Sequence, residues 1–472
     1  EVARSDARRS LELEVRTPSG AAEESADPSA FWTELATELK ATIRRNRSTL
    51  IFANSRRMVE KVARVVNEAG DSPLAFSHHG ALARELREVV ETRLKAGRLR
   101  AIVATNSLEL GIDVGAIDEV ALVQTPPAVS SAVQRLGRSG HRVGATSRGR
   151  LYPVSGRDLL EAAVVAPAAA AGEVEPLEPV TGALDVLAQV LVSMTAGADW
   201  RLDELYDAVR CADPYRHLPR RHFDLVVDLL AGRWSTLKLR SSRPLLSVDR
   251  VDGTVRARPG AARTVYLSGG TIPDRGYFKL RLEGSGAPLG ELDEEFVWER
   301  SVGDTFTLGI QTWRVERITS GEVHVSPARS GSAMAPFWRA EERDRSTHTA
   351  LRLGELLERT EPRLGEEGLG EELATACRLH LGAARQLLGL LENQRDATGV
   401  LPHRHRVVVE HTAAPGGAGR AQVILHTCRG GRVNRGLAAA LRAAVQRRHG
   451  LPPEVYHDDL CLTLVLPPGT GA

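Results

Sequence analysis

The sequence predicts an α/β chain in three parts: a parallel-sheet lobe, a mostly helical module, and a β-rich α+β region. Three observations carry this. Short apolar runs alternate with helical spacing up to residue 157, the pattern of a parallel sheet covered on both faces. Residues 158–250 keep helical spacing. From 251 onward short strands separated by glycine turns take over, the mark of antiparallel pairing.

In the first part Leu11–Val15 alternates as a strand, and 21–29 is a polar, acidic linker. Phe31–Ile43 has helical spacing, and Thr49–Ala53 is a short buried strand. Met58–Glu68 reads as an amphipathic helix stopped at Gly70, 74–76 as a strand, and Leu82–Lys95 as a helix closed by Gly97. Ala101–Ala104 and Val120–Val123 are further buried strands.

In the second part an alanine-rich stretch, 162–172, leads to helices at 184–194, 202–209 and 223–230. Followed by 237–248, they fit a winged-helix module or a plain helical bundle. In the third part GTVRARPGAARTVYLSGGTIPDRG, FKLRLEG, DTFTLGIQTWRVERI and GEVHVSPA read as strands. Residues 341–400 return to helix, and strands at 406–410, 422–426 and 462–466 surround a helix at 437–448. The expected domains are therefore 1–157, 158–250 and 251–472, the last incomplete at its C-terminus.

Net charge is only +2, so charge alone does not announce a nucleic-acid binder, and 57 of the 62 basic residues are arginine, an excess that GC-rich codons also produce. The four cysteines are scattered without a Cys-x-x-Cys pair. That argues against a zinc site or a disulfide framework and for a reducing cytoplasm. No apolar run reaches the roughly 18 residues of a membrane span, and no signal peptide is visible. The chain begins at Glu1 without methionine, which reads as a processed or partial chain.

Four segments stand where ligands bind such sheets, after strands. Asn54-Ser55-Arg56-Arg57 fits a nucleic-acid backbone, and equally a capped helix start. Ser77-His78-His79-Gly80 lacks a third metal ligand nearby; it fits a phosphate-facing turn or a structural one. Thr105-Asn106-Ser107-Leu108-Glu109-Leu110-Gly111-Ile112-Asp113 offers hydroxyls and amides to phosphates. Its Asp113 suits a ribose hydroxyl or a water near a γ-phosphate. Gln134-Arg135-Leu136-Gly137-Arg138-Ser139-Gly140-His141 sets two arginine forks among glycines, a compact phosphate site. Arg138 has the character of an arginine finger, which neutralises charge on a transferring phosphoryl group.

The other half of such a nucleotide site is missing. None of the five lysines follows a glycine, so there is no Gly-Lys-Ser/Thr turn. The acidic run Asp293-Glu294-Glu295 does not cap a buried strand and is not a magnesium-binding box.

In series, these four segments resemble motifs IV, IVa, V and VI in the second RecA-like lobe of a superfamily 2 helicase. Within that group NSLELGID, QRLGRSGH, SGGTIPDRG at 268–276, GELDEEFVWE at 290–299 and QTWRVE at 311–316 are similar to the Lhr (large helicase-related) family, over nearly the whole chain. The resemblance implies a RecA-like lobe, a winged helix and a β-rich DEAD/H-associated domain. It implies that Arg138 reaches the γ-phosphate, supported by Arg135 and Gln134, with Gly111, Asp113 and His141 near ATP. His141 departs from the second arginine of many helicases, a departure Lhr-like sequences share. Asn54, Arg56, His79, Gly80, Thr105 and Ser107 are implied to meet nucleic acid.

It further implies a 3′-to-5′ translocase on single-stranded DNA that unwinds duplexes and RNA–DNA hybrids, is linked to DNA repair, and uses ATP and Mg2+ held mainly by a first RecA-like lobe in cis or in trans. Trp313 is the favoured base-stacking aromatic, with a core role as its alternative; Trp298 and Trp338 are weaker candidates. The basic runs 216–221 and 404–406 read as solvated faces. The rival functions are a non-catalytic nucleic-acid-binding module or a motor completed by a partner, and an RNA remodeller.

Overall fold

A computed structural model describes residues 10–18, 28–68, 72–80, 84–109, 115–140, 146–177, 179–233, 243–267, 277–293, 296–297, 300–308, 311–319, 321–328, 345–413, 421–450 and 452–466. Two compact units emerge, one of residues 1–175 with 276–472 and one of 176–275.

The first unit is organised by a six-stranded parallel sheet. Its strands are β1 (Leu11–Val15), β2 (Thr49–Ala53), β3 (Ala75–His78), β4 (Ala101–Ala104), β5 (Glu119–Val123) and β6 (Ser147–Tyr152). Their order is β1-β6-β5-β2-β4-β3. Every residue of β2, β4 and β5 is buried, as expected when helices cover both faces. Alternation divides β2 between two cores. Ile51 and Ala53 join Leu35, Leu39, Val59 and Val62 of helices α1 (Pro28–Arg45) and α2 (Arg56–Asn67). Leu50 and Phe52 face the opposite core, with Ala132 and Leu136 of α4 (Val129–Leu136) and Leu159 of α5 (Gly156–Ala171). Helix α3 (Arg84–Lys95) joins this second core through Leu94. Strand β6, SRGRLY, was not foreseen, because two arginines interrupt its apolar residues.

Helix α5 is buried almost all round, from Asp158 to Ala169. A helix apolar on every face must be covered on every face. The cover comes from the sheet and from helices Thr347–Thr360 and Leu381–Thr398, whose Leu353, Leu357, Leu387 and Leu391 share its core. Hence 158–171, expected in the helical module, belongs to the parallel-sheet lobe. The far C-terminal segment also closes the sheet edge. Val15 donates its N–H to the Arg378 carbonyl at 2.8 Å and accepts from the His380 N–H at 2.8 Å.

The second unit packs α6 (Leu184–Gly197), α7 (Leu202–Arg210) and α8 (Arg220–Leu230) around Leu187, Leu205, Phe223 and Val226. Beside them lies a small sheet of β7 (Trp200–Arg201), β9 (Thr254–Ala257) and β8 (Leu246–Asp249). This is winged-helix architecture. The boundary expected at 250/251 falls inside the β8–β9 hairpin, where Val248 pairs with Val255. The expected strand in AARTVYL is corrected too: Ala261–Leu267 is helix α9, with Ala261 in this unit's core.

Back in the first unit, β10 (Tyr277–Leu282), β11 (Pro288–Asp293), β12 (Thr305–Leu308), β13 (Gln311–Ile318) and β14 (Glu322–Pro327) form a sheet over Phe296 and Phe306. Near the C-terminus β15 (Val408–Ala413), β16 (Ala421–His426), β18 (Cys461–Val465) and β17 (Glu454–His457) pair antiparallel, beside the helix Gly431–His449.

Candidate nucleotide and nucleic-acid site

The C-terminal ends of β2, β3, β4 and β5 carry two clusters. The first joins the turn after β2 to α4. Arg135 lies 3% exposed and Glu109 7% exposed. The Arg135 Nε donates to Glu109 Oε2 at 2.9 Å, and its Nη1 donates to Asn54 Oδ1 at 2.8 Å. Asn54 in turn donates to the Thr125 carbonyl at 2.7 Å. Arg138 is half-buried and donates to the Glu109 backbone carbonyl. Gln134 points to solvent.

Local sequence explains why α4 holds these groups. Its own first residues offer no side-chain cap, and Glu175 supplies one from beyond α5, accepting from the Val129 N–H at 2.6 Å and the Ser130 N–H at 3.0 Å. The turn that follows α4 needs glycine at position 140. Its φ is +65°, and an added Cβ would lie 2.8 Å from the Thr146 carbonyl oxygen.

The second cluster lies at the ends of β3 and β4. Buried His78 meets Ser107 Oγ through Nδ1 at 2.9 Å and Glu91 Oε1 through Nε2 at 3.0 Å. Burial pushes the His78 pKa below the usual 6.5, against the opposing pull of Glu91. Ser107 Oγ donates to the His78 carbonyl at 3.1 Å, and Thr105 Oγ1 donates to Ser107 Oγ at 3.4 Å. His79 Nε2 lies 2.7 Å from Glu60 Oε1, whereas its Nδ1 is buried without a hydrogen-bond partner among the described residues. Arg56 opens α2 beside Gly80, with Nη2 3.7 Å from where a Gly80 Cβ would lie.

The arrangement brings Asn54, Arg135 and Arg138 into one cluster and His79, Thr105 and Ser107 into the other, next to the Arg56–Gly80 pair. Gly111, Asp113 and His141 lie outside the described residues, as do Trp298 and Trp338. Trp313 is half-buried and packs on the core of its sheet, opposite Phe306. The basic runs lie on exposed or half-exposed faces and form ion pairs there. Arg216 pairs with Asp213, Arg220 with Asp203 and Asp224, Arg404 with Glu358, and Arg406 with Glu361.

Sequence reasoning missed Glu109, Glu60 and Glu91. Glu109 sits inside an apolar triplet, Leu108-Glu109-Leu110, and a charge among leucines was the available signal. The segment 105–109 now has two ends with different partners: Ser107 holds His78, and Glu109 holds both arginines.

A parallel sheet with arginines and hydroxyls at its strand ends, followed by a winged helix, defines the second-lobe half of a superfamily 2 helicase. Family models agree: the helicase conserved C-terminal domain matches residues 32–143, the large helicase-related protein winged-helix domain 167–335, and the DEAD/H-associated domain 401–472.

The chain is 37% identical to the Lhr helicase/uracil glycosylase of Escherichia coli (strain K12), over 94% of this chain and 31% of that protein. It is 32% identical to the ATP-dependent helicase Lhr-Core of Methanothermobacter thermautotrophicus, over 90% of this chain and 50% of that one. The structure of Mycobacterium smegmatis helicase Lhr bound to ssDNA and AMP-PNP superposes with a TM-score of 0.73 at 34% identity, covering 98% of this chain and 56% of that one. The chain belongs to the Lhr helicase family. It spans about a third to a half of the length of these curated relatives.

Proposed function

We propose that this chain forms the second-lobe portion of an ATP-dependent 3′-to-5′ helicase or translocase that acts on single-stranded DNA and RNA–DNA hybrids, in DNA repair and in the cytoplasm. Bound ATP supplies the free energy of each step. The residues present suit its phosphates and not a cation: Arg135 and Arg138 are cationic, and the Glu109 carboxylate is engaged by Arg135. Mg2+ and most of the nucleotide therefore fall to a first RecA-like lobe, in cis or in trans. With no Gly-Lys-Ser/Thr turn in the sequence, this chain alone is expected to lack ATPase activity.

Arg138 acts as the finger that neutralises phosphoryl charge, and Arg135 and Gln134 support it. Gly111, Asp113 and His141 complete the nucleotide side. Asn54, Arg56, His79, Gly80, Thr105 and Ser107 hold the nucleic-acid backbone, and Trp313 offers a face for stacking. One observation carries the reading: the segment 105–109 is held at one end by His78 and at the other by the two arginines. A shift at the arginines is thereby delivered to the hydroxyls facing the strand. That the Mycobacterium smegmatis relative is bound to ssDNA and AMP-PNP supports a role with nucleotide and single-stranded DNA.

In protein carrying both lobes, Arg138→Ala is expected to lower ATP turnover by roughly 10³–10⁵-fold and to leave single-strand affinity largely intact. Near-normal turnover refutes the finger. Affinity measured over a salt series should fall with a slope of roughly −0.7 per neutralised phosphate; a flat slope refutes nucleic-acid binding. Comparing DNA with RNA strands in that series separates this reading from an RNA remodeller.

A further inference from the structure

We propose that Glu358, His403 and His405 form a binding site for a divalent transition-metal ion of the zinc class, which locks the 401–406 turn onto the helix Thr347–Thr360. Composition had pointed away from metal, because the ligands lie some 45 positions apart and include no cysteine. The fold brings one donor atom from each of the three within 4.8 Å of the others. Glu358 Oε1 is 2.8 Å from His405 Nδ1 and 3.8 Å from His403 Nδ1. A tetrahedral ion with bonds near 2.0–2.1 Å spaces its donors about 3.3 Å apart. The two distances bracket that spacing, so small side-chain shifts seat an ion.

The ligands are held in place independently of any ion. The Leu401 N–H reaches Glu361 Oε1 at 2.8 Å, and Arg406 Nη1 reaches both Glu361 oxygens at 2.7 Å. His403 and Arg406 exchange backbone hydrogen bonds at 3.1 and 2.9 Å. The turn rests directly on the helix at Gly354, where an added Cβ would lie 2.8 Å from the Arg404 nitrogen. Arg404 Nε donates to Glu358 Oε2 at 2.5 Å. That leaves Oε1 to face the imidazoles, and an outer partner of this kind orients a ligating carboxylate.

Glu355 and Glu358 pair with Arg404, and Glu361 pairs with Arg406. Two imidazoles and a carboxylate suit zinc-class ions, not Mg2+ or Ca2+, which demand more oxygen donors. His405 is exposed and gives an entry path. His403 Nδ1 now accepts the His405 N–H at 3.1 Å, a bond the ion displaces, so binding should be reversible by a chelator.

The test is calorimetric titration of Zn2+ into the metal-free 472-residue chain, with Mg2+ in excess. One ion per chain is expected. His405→Ala and Glu358→Gln should weaken binding by at least roughly tenfold, His405→Cys should restore it, and the distant, exposed His217→Ala should change nothing. Co2+ should give visible ligand-field bands that His405→Ala removes. No zinc binding, or unchanged binding in His405→Ala, overturns the site. Failure of His405→Cys to rescue overturns it as well, because the residue then serves only its ion pair with Glu358.

Discussion

The two clusters stand at neighbouring strand ends but are built from opposite chemistry. Around Arg135 a buried guanidinium meets a buried carboxylate and a fixed amide. Around His78 a neutral imidazole meets a hydroxyl and a carboxylate a quarter exposed. A buried ion pair tolerates little displacement, because separating it strands a charge in low dielectric. Hydroxyls and imidazoles re-partner cheaply. The Arg135 cluster is thus rigid and the His78 cluster adjustable, and under the proposed function the first would serve the nucleotide and the second the strand.

The sharpest way to break this comparison is Glu109→Ala. It removes the carboxylate paired with the buried Arg135 and should lower stability by about 3–5 kcal/mol, read from denaturant midpoints. A loss well below this would mean that Arg135 finds another partner and the rigid half is not rigid. Ser107→Ala should cost only about 0.5–1.5 kcal/mol. In protein carrying both lobes it should depress DNA stimulation of ATPase more than basal turnover; equal depression would deny Ser107 its coupling role.

The smallest effect concerns pH. Folded His78 binds its proton less readily than the unfolded chain, whose pKa lies near 6.5. The stability contributed by neutral His78 is therefore complete above pH 6.5 and declines as pH falls below it. His78→Gln should flatten that decline, and an unchanged slope would place the titration elsewhere.

Strands β2, β4 and β5 were legible because burial on both faces makes them continuous apolar runs. The four motif segments were legible because each lies at or after the end of a strand. Strand β6 was not, since its arginines point to partners such as Glu119, 3.5 Å from Arg150, that local pattern cannot reveal. Helix α5 was assigned to the wrong neighbour for a similar reason. Its alanine-rich surface announces burial but not what covers it, and the cover begins near residue 347. Arg135 was legible as part of a motif, whereas its dependence on Glu109 required three dimensions.

The stitch between Val15 and the Arg378–His380 segment sets an order on biosynthesis. Roughly 360 residues separate the partners, and a ribosome adding about 5–20 residues per second needs roughly 20–70 s to cover them. Through that interval the nascent lobe holds its outermost strand without the segment that finishes its edge. A pause or break in translation before residue 379 would release a sheet with an open border, a template for pairing with another chain. The Arg378–His380 segment is therefore also the guardian of the first strand.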